Sequence, residues 1–219
     1  MSHALAHRHY LPAAGQHWLL PLYDLMGWLA GVAPARRALI EQVAPEPGHR
    51  VLDVGTGTGD VAIGLARRYP RADLAALDPD PQALAVARRR ARGAGVAVRF
   101  DQGFADALPY PDASFDRVTC SLMYHHLPAA EQARALGEFR RVLRPGGRLH
   151  LLDFDGPVTD AGPLTRRLHA HPRLRDNAPA YVLALMTAAG LEAPRVVGRH
   201  AGRLTRLCTY QALAPAGAR

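Results

Sequence analysis

From residue 50 onward two rhythms of apolar positions take turns along the chain. Short apolar runs at residues 50–54, 73–77, 97–100, 117–121 and 148–154 read as strands. Between most of them, apolar residues recur at helical spacing, over about 58–68, 81–92 and 129–143. Strands that alternate with helices imply parallel crossovers and a doubly wound α/β sheet. Pro81 opens the second helix, as proline suits a first turn, and Arg144-Pro-Gly-Gly147 stops the third and turns the chain into a strand.

Both ends of this pattern differ from its middle. Residues 1–49 read as a separate helical cap: Trp18, Leu22, Leu25, Leu29 and Val32 recur at helical spacing, and Pro34 opens a second short helix reaching Val43. Residues 156–179 lose periodicity and read as an insertion in the domain spanning 50–219. A helix at about 180–189 follows, then strands at 195–198 and 205–213. The link between those strands is too short for a helical crossover, so they are expected to run antiparallel to each other.

Composition changes this picture little. The 219 residues are 48% apolar and 21% charged, as in an ordinary globular protein. The net charge of +8 comes from 27 basic residues, all of them arginine. Arginine pairs such as Arg67-Arg68 and Arg140-Arg141 fall late in expected helices, where cations complement the helix dipole, so nucleic acid is not an expected partner. The lack of lysine removes Schiff-base and P-loop chemistry. Cys120 and Cys208 sit in apolar runs as core residues of a reducing compartment, and no signal-peptide or membrane-spanning pattern stands out, so a cytoplasmic setting is expected.

The chemistry concentrates at the strand ends. Val51-Leu-Asp-Val-Gly-Thr-Gly-Thr-Gly-Asp60 is an apolar run ending in a turn with glycines at 55, 57 and 59. This G-x-G-x-G spacing differs from the G-x-G-x-x-G of dinucleotide sites and points away from a pyrophosphate ligand. Asp53 precedes the turn. Asp78 ends the second run, where a carboxylate accepts from ribose hydroxyls and Pro79 lies against a base. Asp106 follows the third run, placed to accept from an exocyclic amine while a neighbouring N–H meets a ring nitrogen. Together these acids describe a nucleoside site.

Over residues 48 to about 155 the chain resembles the class I S-adenosylmethionine-dependent methyltransferases. The resemblance rests on residues 51–60 and on Leu77-Asp-Pro-Asp80, Ala105-Asp-Ala-Leu-Pro109, Ser114-Phe-Asp-Arg-Val118 and Val142-Leu-Arg-Pro-Gly-Gly-Arg148. Within that superfamily it is most similar to the ubiquinone/menaquinone-biosynthesis-like group acting on small molecules. The likeness implies a Rossmann-like seven-stranded sheet with an antiparallel last strand, and S-adenosylmethionine as cofactor. It implies that Asp53 and Gly55 neighbour the methionine part and Asp78 the ribose, with Thr56, Gly57, Gly59 and Pro79 also among the cofactor-binding residues. Asp106 with Ala107 would meet adenine, and Ser121 with Leu122 would lie beside the sulfonium. A sulfonium is an activated methyl donor, so neither metal nor covalent nucleophile is required.

Tyr124-His125-His126 follows the fourth strand and supplies the catalytic candidates, a histidine there serving as general base or bracing the loop. The Asn-Pro-Pro-Tyr type motif of methyltransferases acting on adenine or glutamine amino groups is missing, which lowers those acceptors. His3, His7, His9, His17, His169 and His171 lack cysteines at ligand spacing, so no metal is expected. The cap, with Trp18, Tyr23 and Trp28, reads as a lid over a small, apolar or aromatic acceptor, the alternative being a helix packed on the sheet for stability alone. Three rival readings stay open at this point: an RNA methyltransferase, a nicotinamide-dependent oxidoreductase and a noncatalytic cofactor-binding module.

Overall fold

A computed structural model of the protein describes residues 31–156, 162, 165–167, 177–202 and 205–217. In chain order the elements are α1 (Ala33–Val43), β1 (Arg50–Val54), α2 (Asp60–Arg68), β2 (Asp73–Asp78), α3 (Pro81–Gly93), β3 (Arg99–Gln102) and β4 (Phe115–Ser121). A 3-10 turn (Tyr124–His126), α4 (Ala129–Val142), β5 (Leu143–Phe154), α5 (Pro179–Ala188), β6 (Glu192–Ala201) and β7 (Arg206–Leu213) complete the series. They form one seven-stranded sheet in the order β3-β2-β1-β4-β5-β7-β6. β7 is antiparallel to both β5 and β6, and the other ladders are parallel. The expected Rossmann-like sheet with its reversed last strand is therefore present.

Local chemistry sets the element boundaries. Asp80 caps α3 by accepting from the Gln82 N–H at 2.8 Å, and Pro81 follows where its missing N–H costs nothing. β1 and β2 are buried along nearly their whole length, the mark of central strands covered on both faces. One core, built on Leu52, Leu77, Val118 and Leu151, also takes in Leu136 and Phe139 of α4 and Val182 and Met186 of α5. The other joins Val51, Leu122 and Leu152 to Leu65 of α2 and to Ala35, Leu39 and Val43 of α1. The second helix of the expected cap is thus docked on the sheet. Trp18, Tyr23, Trp28, the four N-terminal histidines, His169 and His171 lie outside the described residues.

Three boundaries differ from the sequence reading. β3 begins at Arg99, two residues late, because Val96 and Val98 carry the apolar signal by packing on the core without pairing to β2. β6 runs from Glu192 to Ala201, well beyond residues 195–198. It is a half-exposed edge strand with two register shifts, so its apolar pattern is faint. The Arg144–Gly147 segment is a bulge inside β5: Leu143 already pairs with Phe115, and the ladder resumes at Arg117 and Arg148. Gly146 N–H donates to the Ala214 carbonyl, and Ala214 N–H donates to Gly147, tying the bulge to the end of β7.

The sheet order reverses between β1 and β4. The helices that follow them, α2 and α4, pack into different cores, and a cleft opens at that topological switch point.

Candidate functional site

The cleft holds a cavity of about 340 Å³, within the range of small-molecule sites. Its walls are Asp53 and residues 55–58 after β1, residues 77–80 after β2, 104–106 after β3, and 121–123 and 126–128 after β4.

Asp53 anchors the glycine turn. It is 1% exposed and accepts from Thr56 Oγ1 at 2.7 Å and from Thr119 Oγ1 of β4 at 2.8 Å. The turn is also bound to β2: Gly55 and Thr56 N–H both donate to the Leu77 carbonyl. Gly55 and Gly57 are required here. At Gly55 (φ +70°) a Cβ would stand 2.4 Å from Met123 Cγ, whereas Gly57 (φ +54°) opens onto free space. Gly59 caps α2 against Ala87 and does not line the cavity.

Asp78 closes the adjoining wall. One carboxylate oxygen accepts from Gly57 N–H at 2.8 Å and the other from Asp80 N–H at 2.9 Å. Burial pushes the carboxyls of Asp53 and Asp78 up to about 6, because little water remains to solvate either charge. Asp106 reaches the cavity as one half of an ion pair, its Oδ2 accepting from Arg134 Nε at 3.1 Å and Nη2 at 3.0 Å. Ala107 falls outside the lining, and its N–H is spent on the Phe104 carbonyl.

Two features of the β4 end bear on ligand binding. Ser121 Oγ is buried without a hydrogen-bond partner among the described residues, although it lines the cavity. Leu122 adopts φ +55°, a left-handed conformation unusual for leucine, while its N–H donates to Leu152. An unsatisfied hydroxyl beside a strained backbone fits a place kept for a ligand.

The three catalytic candidates separate cleanly. His126 lines the cavity. His125 lies beneath it, its backbone N–H donating to Asp153 Oδ2 at 3.0 Å and its Nδ1 lying 2.7 Å from Asp153 Oδ1. The His126 ring contacts the His125 ring at 4.0 Å between centroids, tilted by 40°. Tyr124 is fully buried in the core, where desolvation pushes its hydroxyl far above the usual phenol range, so it offers no acid or base. Of the three candidates only His126 is among the residues lining the cavity, and His125 beside it is held by Asp153.

Sequence reasoning missed several lining residues, chief among them Arg36 of α1, Phe104, Met123 and Glu131. Among the described residues no His/Cys/Asp/Glu cluster suits a metal ion, and no helix is long and apolar enough to cross a membrane.

The sequence model of a family described as "Methyltransferase domain" matches residues 51–147. The chain is 41% identical over 174 residues to a demethylmenaquinone methyltransferase of Deinococcus radiodurans, covering 74% of this chain and 71% of that one. A demethylmenaquinone methyltransferase of Thermus thermophilus is 40% identical over 154 residues, covering 69% of each chain. Among solved structures, the YcgJ protein of Bacillus subtilis superposes with a TM-score of 0.67 at 24% identity, covering 84% of this chain and 99% of that one. This last likeness speaks for the fold.

Proposed function

The chain belongs to the S-adenosylmethionine-dependent methyltransferases, and from that premise we propose that it methylates a small apolar aromatic acceptor of the demethylmenaquinone kind. The observation that carries the reading is the division of the cavity. Carboxylates and glycine backbone form the wall at β1 and β2, and Leu122, Met123, Leu127 and Pro128 surround His126 at the β4 end. A polar nucleoside and an apolar ring suit these two halves. The identity to two demethylmenaquinone methyltransferases supports the acceptor class.

When bound, S-adenosylmethionine supplies a methyl group already activated on a positive sulfur. The chain's residues hold it and exclude water. Asp78 takes the ribose hydroxyls, the turn from Gly55 to Thr58 lies along the methionine portion, and Ser121 Oγ faces the reacting end. Phe104 and Ala105 flank the base, with Asp106 held beside them by Arg134. As the methyl group left the sulfur for the acceptor carbon, His126 would receive the proton that this carbon gives up, and its tilted contact with the His125 ring would steady it for that task. The G-x-G-x-G turn and the family membership disfavour a nicotinamide cofactor. Many arginines are also spent within the fold, Arg141 for instance on Glu138 and Asp112, which disfavours an RNA surface.

The test is a turnover assay with a reduced demethylnaphthoquinone and S-adenosylmethionine carrying a labelled methyl group. Label in the ring product is expected, and its absence would sink the acceptor assignment. In the same assay His126→Ala lowers kcat by about 100-fold, the usual scale of a lost general base, with S-adenosylhomocysteine affinity unchanged. A kcat within threefold of the parent would remove His126 from the mechanism.

A pH dependence follows from the two raised carboxyls. Below about 6 both Asp53 and Asp78 carry protons in the empty protein. The ligand's ammonium and ribose hydroxyls favour the ionised forms, so binding must first drive those protons off. Affinity for S-adenosylhomocysteine therefore rises by about tenfold or more between roughly pH 5 and pH 7 and levels off above. Calorimetry across that window reads it directly, and a flat profile would mean that neither acid meets the ligand.

A further inference from the structure

A groove of about 490 Å³ lies between α3 and β3, over a floor of Leu74, Val96, Val98 and Phe100. Leu74 stands near the start of β2 and Arg99 opens β3, whereas the nucleoside cleft is built at the carboxyl ends of the same strands. The groove is therefore at the opposite pole of the sheet. One of its sides is an open strand edge. β3 is the outermost strand and pairs with β2 alone. Just past it, Gly103 N–H donates to the Asp78 carbonyl, and this fixes the phase of the parallel ladder. Arg99 and Asp101 turn their backbone groups toward β2, and Phe100 and Gln102 turn theirs outward. The Phe100 carbonyl accordingly meets a side chain, accepting from Arg88 Nη2 of α3 at 2.8 Å.

Charge decides what suits this edge. Arg88, Arg92 and Arg99 rim the groove against one acid, Asp73, which already faces Arg50 at 3.4 Å. Arg99 is spent on Asp101. Arg92 and the neighbouring Arg89 are exposed, and no hydrogen bond or ion pair among the described residues engages either side chain. The helix dipole explains cations late in α3, but not an apolar floor between them and a row of open peptide groups. A bilayer surface is too flat to use such a groove, and a nucleic acid would want aromatic platforms. A polypeptide strand uses all three features at once. We propose that the groove docks an extended acidic segment of a partner protein, added to the outer edge of β3 as an eighth strand. Its backbone bonds to Phe100 and Gln102, its alternate apolar side chains lie on the floor, and its acids meet Arg88 and Arg92. Arg88 covers the edge until then and gives up the Phe100 carbonyl for a carboxylate. Docking at this pole leaves the cleft open for turnover.

The test uses a fluorescent peptide of about eight residues that alternates glutamate and valine, long enough to lie along residues 96–102. Fluorescence anisotropy at physiological ionic strength is expected to give a Kd of about 10 µM, with slower hydrogen exchange at Phe100 and Gln102 in the complex. A peptide alternating glutamate and serine keeps the charge without the apolar side chains and binds about tenfold more weakly. The double variant Arg88→Glu, Arg92→Glu weakens the first peptide by about tenfold as well. Its methyl transfer is unchanged, because neither arginine lines the cleft. Equal binding of the two peptides would mean that the arginines attract any polyanion. Sedimentation with phosphatidylglycerol vesicles, lost in the same double variant, would assign the face to a membrane instead. Either result overturns the proposal, as does a peptide that fails to bind or leaves exchange along β3 unchanged.

Discussion

Replacing Asp78 with alanine is expected to weaken S-adenosylhomocysteine binding by about 100-fold or more. The carboxylate is only 8% exposed and spends one hydrogen bond per oxygen on Gly57 N–H and Asp80 N–H. Each oxygen keeps a lone pair, and the ribose hydroxyls would take both, at about 1.5–3 kcal/mol for each bond to a charged acceptor. The substitution also frees Gly57 N–H, so the turn keeps only its two backbone bonds to Leu77 of β2. Thermal melting supplies a second readout. Ligand at about 100 times its Kd stabilises a protein by about 2.7 kcal/mol, and that increment nearly vanishes when Kd rises 100-fold. Unchanged affinity, or an undiminished ligand-induced rise in Tm, would show that the ribose lies elsewhere.

How far the sequence reveals such a site depends on what each residue has to touch. Asp53, the glycines and Asp78 are legible because a parallel strand, a tight turn and a second strand tip follow one another within a single βαβ unit. Local pattern is enough there. Thr119 is not legible, since its bond to Asp53 arises only once β4 lies beside β1 in register. Arg36 is hidden for the same reason: nothing in the spacing of α1 announces that one of its turns meets the start of α2. Asp106 shows a different limit. Its place after β3 is readable, but its pairing with Arg134 on α4 is not, and that pairing decides which atoms remain for a ligand.

The strands follow a similar rule. β1, β2 and β4 are covered on both faces and write continuous apolar runs into the chain. β6, half exposed at the edge, writes a weak one. β5 misleads because its glycines sit in a bulge that looks, residue by residue, like a turn. In the histidine pair, adjacency alone does not say which ring faces the ligand. The choice falls to Asp153, far along the chain, which ties His125 down and leaves His126 at the cavity.

That tie makes Asp153→Ala the most disruptive single change expected of this fold. The carboxylate is fully buried and meets three donors: Phe154 N–H at 2.8 Å and His125 Nδ1 at 2.7 Å on one oxygen, and His125 N–H at 3.0 Å on the other. Removing it takes the acceptor away from both buried His125 donors, at a cost of about 3–5 kcal/mol. For a chain of this size that corresponds to a fall in Tm of about 10 °C or more. Asp153→Asn keeps the shape and one acceptor but turns its amide toward a donor, so its melting temperature falls between the two. Asp153 does not line the cavity, so affinity of the folded fraction for S-adenosylhomocysteine stays within about threefold while kcat falls as His126 loses its support. A melting temperature within two or three degrees of the parent would show that the His125–Asp153 pair does not brace the loop. An unchanged kcat in a destabilised variant would instead separate that brace from the chemistry at His126.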